Sequence, residues 1–302
     1  MHVLIRVTTL CCLMIPGLAM AAETVLVGGA TGRQGNAVVD ELLARGYEVR
    51  GMTRRPEGRK GKRLAEKDIE IVQGNYEDYD SLLAAMDGVD KVFFYMGFSR
   101  NQLEQGKNVI AAAKASGVKH LIYSSGAAAE PGKGVPDAEQ TKIELAIVDS
   151  GIPYTVFRPV AFYENFDRQQ KRIAENGIVE SRSPDRILHF IAIRDIGFLV
   201  GEAFDNPDEW LGQAVNIAGD KMTVRAYVDT FSQVMGREIA YTRLPLDEYL
   251  EGVPAMLRPL FRWYDEVGYE ADVEGFRARY PDLITLDEYL RATGWESWRP
   301  DD

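Results

Sequence analysis

Residues 24–35 read TVLVGGATGRQG, and this stretch constrains the fold more than any other. Residues 24–27 are β-branched and aliphatic, which reads as a buried strand. Glycines follow at 29, 32 and 35, and residues 36–45 carry apolar side chains at helical spacing. Strand, glycine turn and helix, in that order, form the context of a dinucleotide-binding turn. Bare backbone must approach a pyrophosphate, so side chains there are absent or small. The amino-terminal N–H groups of the helix then face the phosphates. The alternative, a glycine-rich turn in an ordinary α/β protein, is disfavoured by the strand and helix on either side.

The alternation continues down the chain. Residues 48–52 read as a second strand, ending in Thr53, Arg54, Arg55 and Pro56. A dinucleotide fold places its ribose-reading residue here, and a carboxylate would repel a 2′-phosphate. Arginines stand there instead, with Arg59, Lys60, Lys62 and Arg63 close behind. Arg54 therefore points to NADP(H) over NAD(H), while Lys60 and Lys62 read as a solvated charged loop. Further strands are expected at 70–72, 91–95, 120–123 and 154–157, with helices at 80–86, 102–116 and 137–150 and a loop at 127–136. The segment Met96-Gly97-Phe98 follows the fourth strand and should lie over the cofactor, because ligands bind beyond the carboxyl ends of such strands. Six strands alternating with helices make an α/β fold, a doubly wound parallel Rossmann sheet.

The rhythm changes after residue 160. A helix is expected at 162–175. Two short strands at 177–182 and 186–191 are joined across Ser183, Pro184 and Asp185. Helices at 194–204 and 224–235 and strands at 214–217 and 239–243 follow. The last sixty residues read as helical and aromatic, with a capping-box signature at Thr285 and Glu288. The division is residues 1–21 as a leader or extension, 22–160 as the dinucleotide-binding part, and 161–302 as a smaller mixed, mainly helical lobe with segments returning to the sheet.

The formal charge of −11 argues against nucleic acid or an anionic membrane as the main partner. Both cysteines, Cys11 and Cys12, fall in the first twenty residues, so the rest of the chain has no disulfide, thiol nucleophile or cysteine metal site. His2, His120 and His189 lack ligand spacing, and the last two read as structural; no metal is expected. Residues 1–21 combine an arginine, an apolar run and Ala19-Met20-Ala21, a secretory pattern too short to span a membrane. Met20 also fits a start codon assigned too early. The first reading places the protein in the periplasm or outside the cell, the second in the cytoplasm, and no membrane span is expected in the mature chain.

The chain resembles the NmrA-like family of atypical short-chain dehydrogenase/reductases. The likeness rests on GGATGRQG, the TRRP after strand two and VQGNYEDYDSL after strand three. It continues through EQGKNVIAAAKASGVKHLIYSSG, KIELAIVDSGIPYTVFRPVAFYENF, IAIRDIG and VMGREIAYTRLP. The resemblance implies a Rossmann domain with a lobe over the cofactor cleft. It implies NADP(H) binding through Gly29, Thr31, Gly32, Gln34, Gly35 and Arg54. The candidate cofactor site also takes in Arg33, Asn75, Met96, Gly97, Ser124, Lys142 and Pro159. Two departures matter. Lys142 stands where the short-chain dehydrogenase lysine belongs, but Ala138 replaces the tyrosine four residues earlier. Asn75 replaces an aspartate common in relatives near the adenine and keeps hydrogen bonding there.

Two functions follow from the resemblance. The first is a reductase that hands hydride from NADPH to a quinone or another activated small-molecule acceptor, with Lys142 orienting the ribose or stabilising the developing oxyanion. Such an acceptor holds the incoming charge well, so the missing tyrosine matters less. The second is a non-catalytic NADP(H) sensor that changes its affinity for a protein partner.

Overall fold

The apolar runs at the ends and centre of the first half pair into one parallel sheet. The structure, a computed structural model, describes residues 22–298 apart from Phe98 and Arg100. The leader reading of residues 1–21, with Cys11, Cys12 and Met20, lies outside the described residues, as does Phe98. Strands β1 (Thr24–Gly28), β2 (Glu48–Thr53), β3 (Glu70–Gln73), β4 (Lys91–Tyr95), β5 (His120–Ser124) and β6 (Tyr154–Pro159) alternate with helices α1 (Arg33–Ala44), α2 (Arg59–Ala65), α3 (Tyr79–Ala85), α4 (Gln102–Ala115) and α5 (Glu139–Ser150).

Crossing to the lobe, the chain forms β7 (Ala161–Phe162), α6 (Gln170–Asn176), β8 (Ile178–Glu180), β9 (Ile187–Ile191), α7 (Ile193–Asp205) and α8 (Pro207–Trp210). It returns to the sheet as β10 (Gln213–Ile217), then makes β11 (Asp220–Thr223), α9 (Val224–Met235) and β12 (Tyr241–Arg243). Helices α10 (Leu246–Glu251), α11 (Arg258–Glu266), α12 (Val273–Arg279) and α13 (Leu286–Ala292) close the described chain.

The sheet order is β10-β6-β5-β4-β1-β2-β3, with every pairing parallel. The order reverses between β1 and β4, and the crevice at such a switch point is where α/β sheets bind ligands. Adjacent residues of β4 bury on opposite faces, because side chains alternate along a strand. Phe93 joins Val38, Val39 and Leu42 of α1 and Leu199 of α7. Phe94 joins Leu82, Val109 and Ile143 on the other face. Helix α7, from the second half of the chain, packs on α1 closely enough that a Cβ at Gly197 would lie 2.7 Å from the Ala37 carbonyl. The lobe has its own core around Tyr163, Tyr227, Phe231 and Trp295.

Four local expectations are corrected. Residues 162–175 are not one helix: β7 and two 3-10 turns (Tyr163–Asn165 and Asp167–Gln169) precede the short α6. The consecutive apolar residues Ala161 and Phe162 pair with β9, and that pairing outcompetes helix. The strands at 177–182 and 186–191 do not pair with each other. β8 pairs in parallel with β12, while β9 lies between β7 and β11. The stretch carrying Arg59, Lys60, Lys62 and Arg63 is helix α2, not a loop. Its Leu64 is buried in the core, and Gly61 lies so close to the Pro56 carbonyl that any side chain would clash. Helix α1 starts at Arg33, three residues earlier than expected, so the third glycine lies inside it.

No helix among the described residues is long and apolar enough to cross a membrane.

Candidate functional site

The glycine turn leaves β1 and enters α1 with little side-chain cover. Gly29 has φ +70, a left-handed conformation that favours glycine. Its carbonyl accepts from the Gly32 N–H at 2.9 Å and closes the turn. Gly32 caps α1 without a side-chain hydrogen bond; the Gly35 N–H meets the Tyr95 hydroxyl, and the N–H groups of Arg33 and Gln34 ahead of it are the ones that face an anion. A Cβ at Gly35 would collide with the backbone of Gly29 and Ala30, so this glycine lets α1 pack against the turn. These are the features a pyrophosphate requires, and the residues fit a dinucleotide.

Tyr95, at the end of β4, was not singled out by sequence. Its hydroxyl donates to the Gly29 carbonyl at 3.2 Å and lies in the space a Cβ on Gly32 would take. The end of a strand flanking the switch point was the available signal.

The other expected site residues gather around this turn to different degrees. Ser124 closes β5 and donates to Gln34 Oε1 at 2.8 Å, tying the glycine motif to the second half of the sheet. Gln34, Met96 and Pro159 line one cavity. Thr31, Gly32 and Arg33 border a second cleft beside α1. Arg33 reaches the lobe, where Nη1 donates to the Glu164 carbonyl at 2.7 Å and stands 3.8 Å from Asp167. Arg54 is exposed at the end of β2 and makes no hydrogen bond or ion pair with a described residue. Asn75 accepts from the Glu77 N–H at 3.3 Å and lines neither cavity. The Gly97 carbonyl accepts from Gln102 Nε2 at 2.6 Å. Lys142 lies on α5, about half exposed, 3.9 Å from Asp137 and off the cavity wall.

The cavity between the sheet ends and the lobe holds about 620 Å³. Its sheet side is Gln34, Met96, Ser125 and Pro159, and its lobe side is largely aromatic, with Phe162, Phe166, Phe190, Tyr227 and Tyr249. Ala138, where a short-chain dehydrogenase keeps its tyrosine, lines it. Burial pushes Tyr249 up to about 12 and raises Tyr227. Burial, then Lys221, lowers His189, which is neutral at pH 7. No tyrosine or histidine among the described wall residues is therefore tuned to release a proton near neutrality.

The charges on the described wall are Arg172, Glu180 and Arg182, which sequence reasoning did not pick out. The alternation of Glu180 and Arg182 in a short strand was the only available signal, since residues two apart share a face. No group of His, Cys, Asp and Glu among the described residues is arranged to hold a metal ion.

The NmrA-like family profile matches residues 21–290. The chain is 33% identical over 232 residues to a (4-alkanoyl-5-oxo-2,5-dihydrofuran-3-yl)methyl phosphate reductase of Streptomyces griseus, covering 74% of this chain and 78% of that protein. It is 27% identical over 225 residues to quinone oxidoreductase 2 of Escherichia coli K12, covering 73% and 77%. Among solved structures, the NADPH complex of the Escherichia coli quinone oxidoreductase QOR2 superposes with a TM-score of 0.78 at 23% identity, covering 89% of this chain and 99% of that one.

Proposed function

The chain belongs to the NmrA-like family, and from that premise we propose that it is an NADPH-dependent oxidoreductase whose acceptor is a quinone or a similarly activated molecule. The uncapped amino terminus of α1 and the bare glycine turn bind the pyrophosphate. The free guanidinium of Arg54 meets the 2′-phosphate, and its planar fork favours NADPH over NADH. NADPH supplies hydride at the sheet side of the cavity.

The observation that carries the choice of acceptor is Ala138 on the cavity wall, with no group beside it tuned to give up a proton near pH 7. An unactivated ketone needs a proton as the hydride arrives. A quinone holds the charge on oxygen until solvent delivers the proton. Lys142 lies off the wall, so its role is the ribose or a long-range electrostatic contribution rather than proton transfer.

Purified protein titrated with NADPH and NADH, then assayed with quinones, ketones and aldehydes, tests the reading. The expected result is tighter NADPH binding, turnover with quinones, and at least ~10-fold lower kcat/KM in Lys142→Ala. Equal NADH binding would contradict the role of Arg54. Tight NADPH binding with no acceptor consumed would overturn the reductase in favour of a redox sensor.

A further inference from the structure

The acceptor cavity carries a buried charge that hydride transfer to a plain quinone does not need. Glu180, at the end of β8, is almost fully buried, and Arg182 follows two residues later. Arg182 donates to Glu180 Oε2 through Nε at 2.9 Å and through Nη2 at 2.5 Å. Glu180 Oε1 accepts from the Tyr227 hydroxyl at 3.0 Å. The carboxylate is thus satisfied on both oxygens. The guanidinium is not: Nη1 has no hydrogen-bond partner among the described residues, and Arg182 lines the cavity.

Arg182 is also held still. Its carbonyl accepts from the Tyr241 hydroxyl at 2.5 Å, and Arg243 Nε donates to the neighbouring Ser181 carbonyl at 2.9 Å. Both donors come from β12, the partner of β8. An arginine pinned along one edge presents its other edge in fixed geometry. Arg172 adds a second cation to the same cavity. Two guanidiniums and one carboxylate leave the described wall net positive, in a chain whose formal charge is −11.

We propose that Arg182, oriented by Glu180 and assisted by Arg172, is an anion subsite in the acceptor cavity, so that the favoured acceptors are planar aromatic quinones bearing a carboxylate or sulfonate. The aromatic wall takes the ring system and the guanidinium edge takes the anion. The proposal rests on the reading of this cavity as the acceptor site. The competing account is that Glu180 and Arg182 only stitch β8 to α9 through Tyr227, in which case the charge of a ligand is immaterial.

Calorimetric titration of the full chain at saturating NADP+ compares anthraquinone-2-sulfonate with anthraquinone-2-sulfonamide, a neutral ligand of nearly the same shape. The sulfonate is expected to bind about 10-fold tighter or more. That preference should shrink several-fold in Arg172→Gln, at the exposed side, and as much or more in Glu180→Gln/Arg182→Met, which leaves no unpaired buried charge; it should vanish when the three substitutions are combined. Arg182→Lys should retain part of it. Equal binding of the two ligands to the unaltered protein would overturn the anion subsite, as would a preference that survives in all the variants. The titration needs no turnover. A sulfonate preference abolished by these variants, in a protein that oxidises no NADPH with any quinone, would uphold the subsite and refute the reductase.

Discussion

Asp195 is 1% exposed in the first turn of α7 and is the sharpest case of a charge held against its environment. It accepts from the Ile284 N–H at 3.0 Å and from Arg194 Nε at 3.1 Å. Burial nevertheless pushes its carboxyl from 3.8 up to about 6, against the lowering effect of those hydrogen bonds. The folded state therefore holds a proton that the unfolded chain has already lost between about pH 4 and pH 6. Stability from this group is complete below the unfolded value and is lost as pH rises through the folded one. Asp195→Asn keeps an acceptor for Ile284 and removes the titration. The fall in unfolding free energy across that window should be smaller in the variant by about 2–3 kcal/mol, measured by urea unfolding at each pH. An unchanged pH profile would show that Asp195 titrates in the fold as it does in the unfolded chain. Residues of this kind were hard to read from sequence. The segment IAIRDIG marks a helix start, but nothing in it shows that the loop at Ile284 closes over the carboxylate. Tyr95 and Glu180 share that property, since Gly29 and Tyr227, to which they bond, lie 66 and 47 residues away in the chain.

Elements were legible where the pattern is local. The passage from β1 through the turn to α1 was readable because glycine spacing, β-branched residues and helical periodicity all occur within about two dozen residues. Its boundary was wrong by three residues because Arg33 and Gln34, which open the helix, give no apolar signal. Gly35 tests how tightly the turn and the helix are joined. In Gly35→Ala the new methyl group meets main chain at Gly29 and Ala30, which cannot rotate away as a side chain can. The expected cost is about 1–3 kcal/mol of stability in urea unfolding. NADPH affinity should fall in the same variant, read by fluorescence titration. Normal stability with normal affinity would mean that α1 shifts freely against the turn. The segment 162–175 was misread because Phe162, Tyr163 and Phe166 mimic one face of a helix. In the fold Tyr163 reaches the lobe core from the first 3-10 turn and Phe166 from between the two, and Phe162 pairs within a strand. The short β8 and β12 were each expected as strands, but their pairing links residues about sixty apart and leaves no mark in sequence.

At the scale of the molecule, two halves meet along the carboxyl ends of one sheet. The first half supplies the glycine turn and the exposed Arg54. The second supplies α7, the return strand β10 and the aromatic wall. The order of strands follows from the alternation of β and α segments, so the Rossmann part and its family were readable from the chain. The cavity was not, because its walls come from segments between Gln34 and Tyr269. In the proposed reaction a dinucleotide at the turn passes hydride to an acceptor in this cavity. The most direct measurement loads the protein with stoichiometric NADPH, mixes it rapidly with 1,4-naphthoquinone, and follows the near-ultraviolet absorbance of the reduced nicotinamide. A single exponential loss of that band, with a rate that saturates in quinone, is the predicted result. A band that persists while NADPH stays bound would contradict the account.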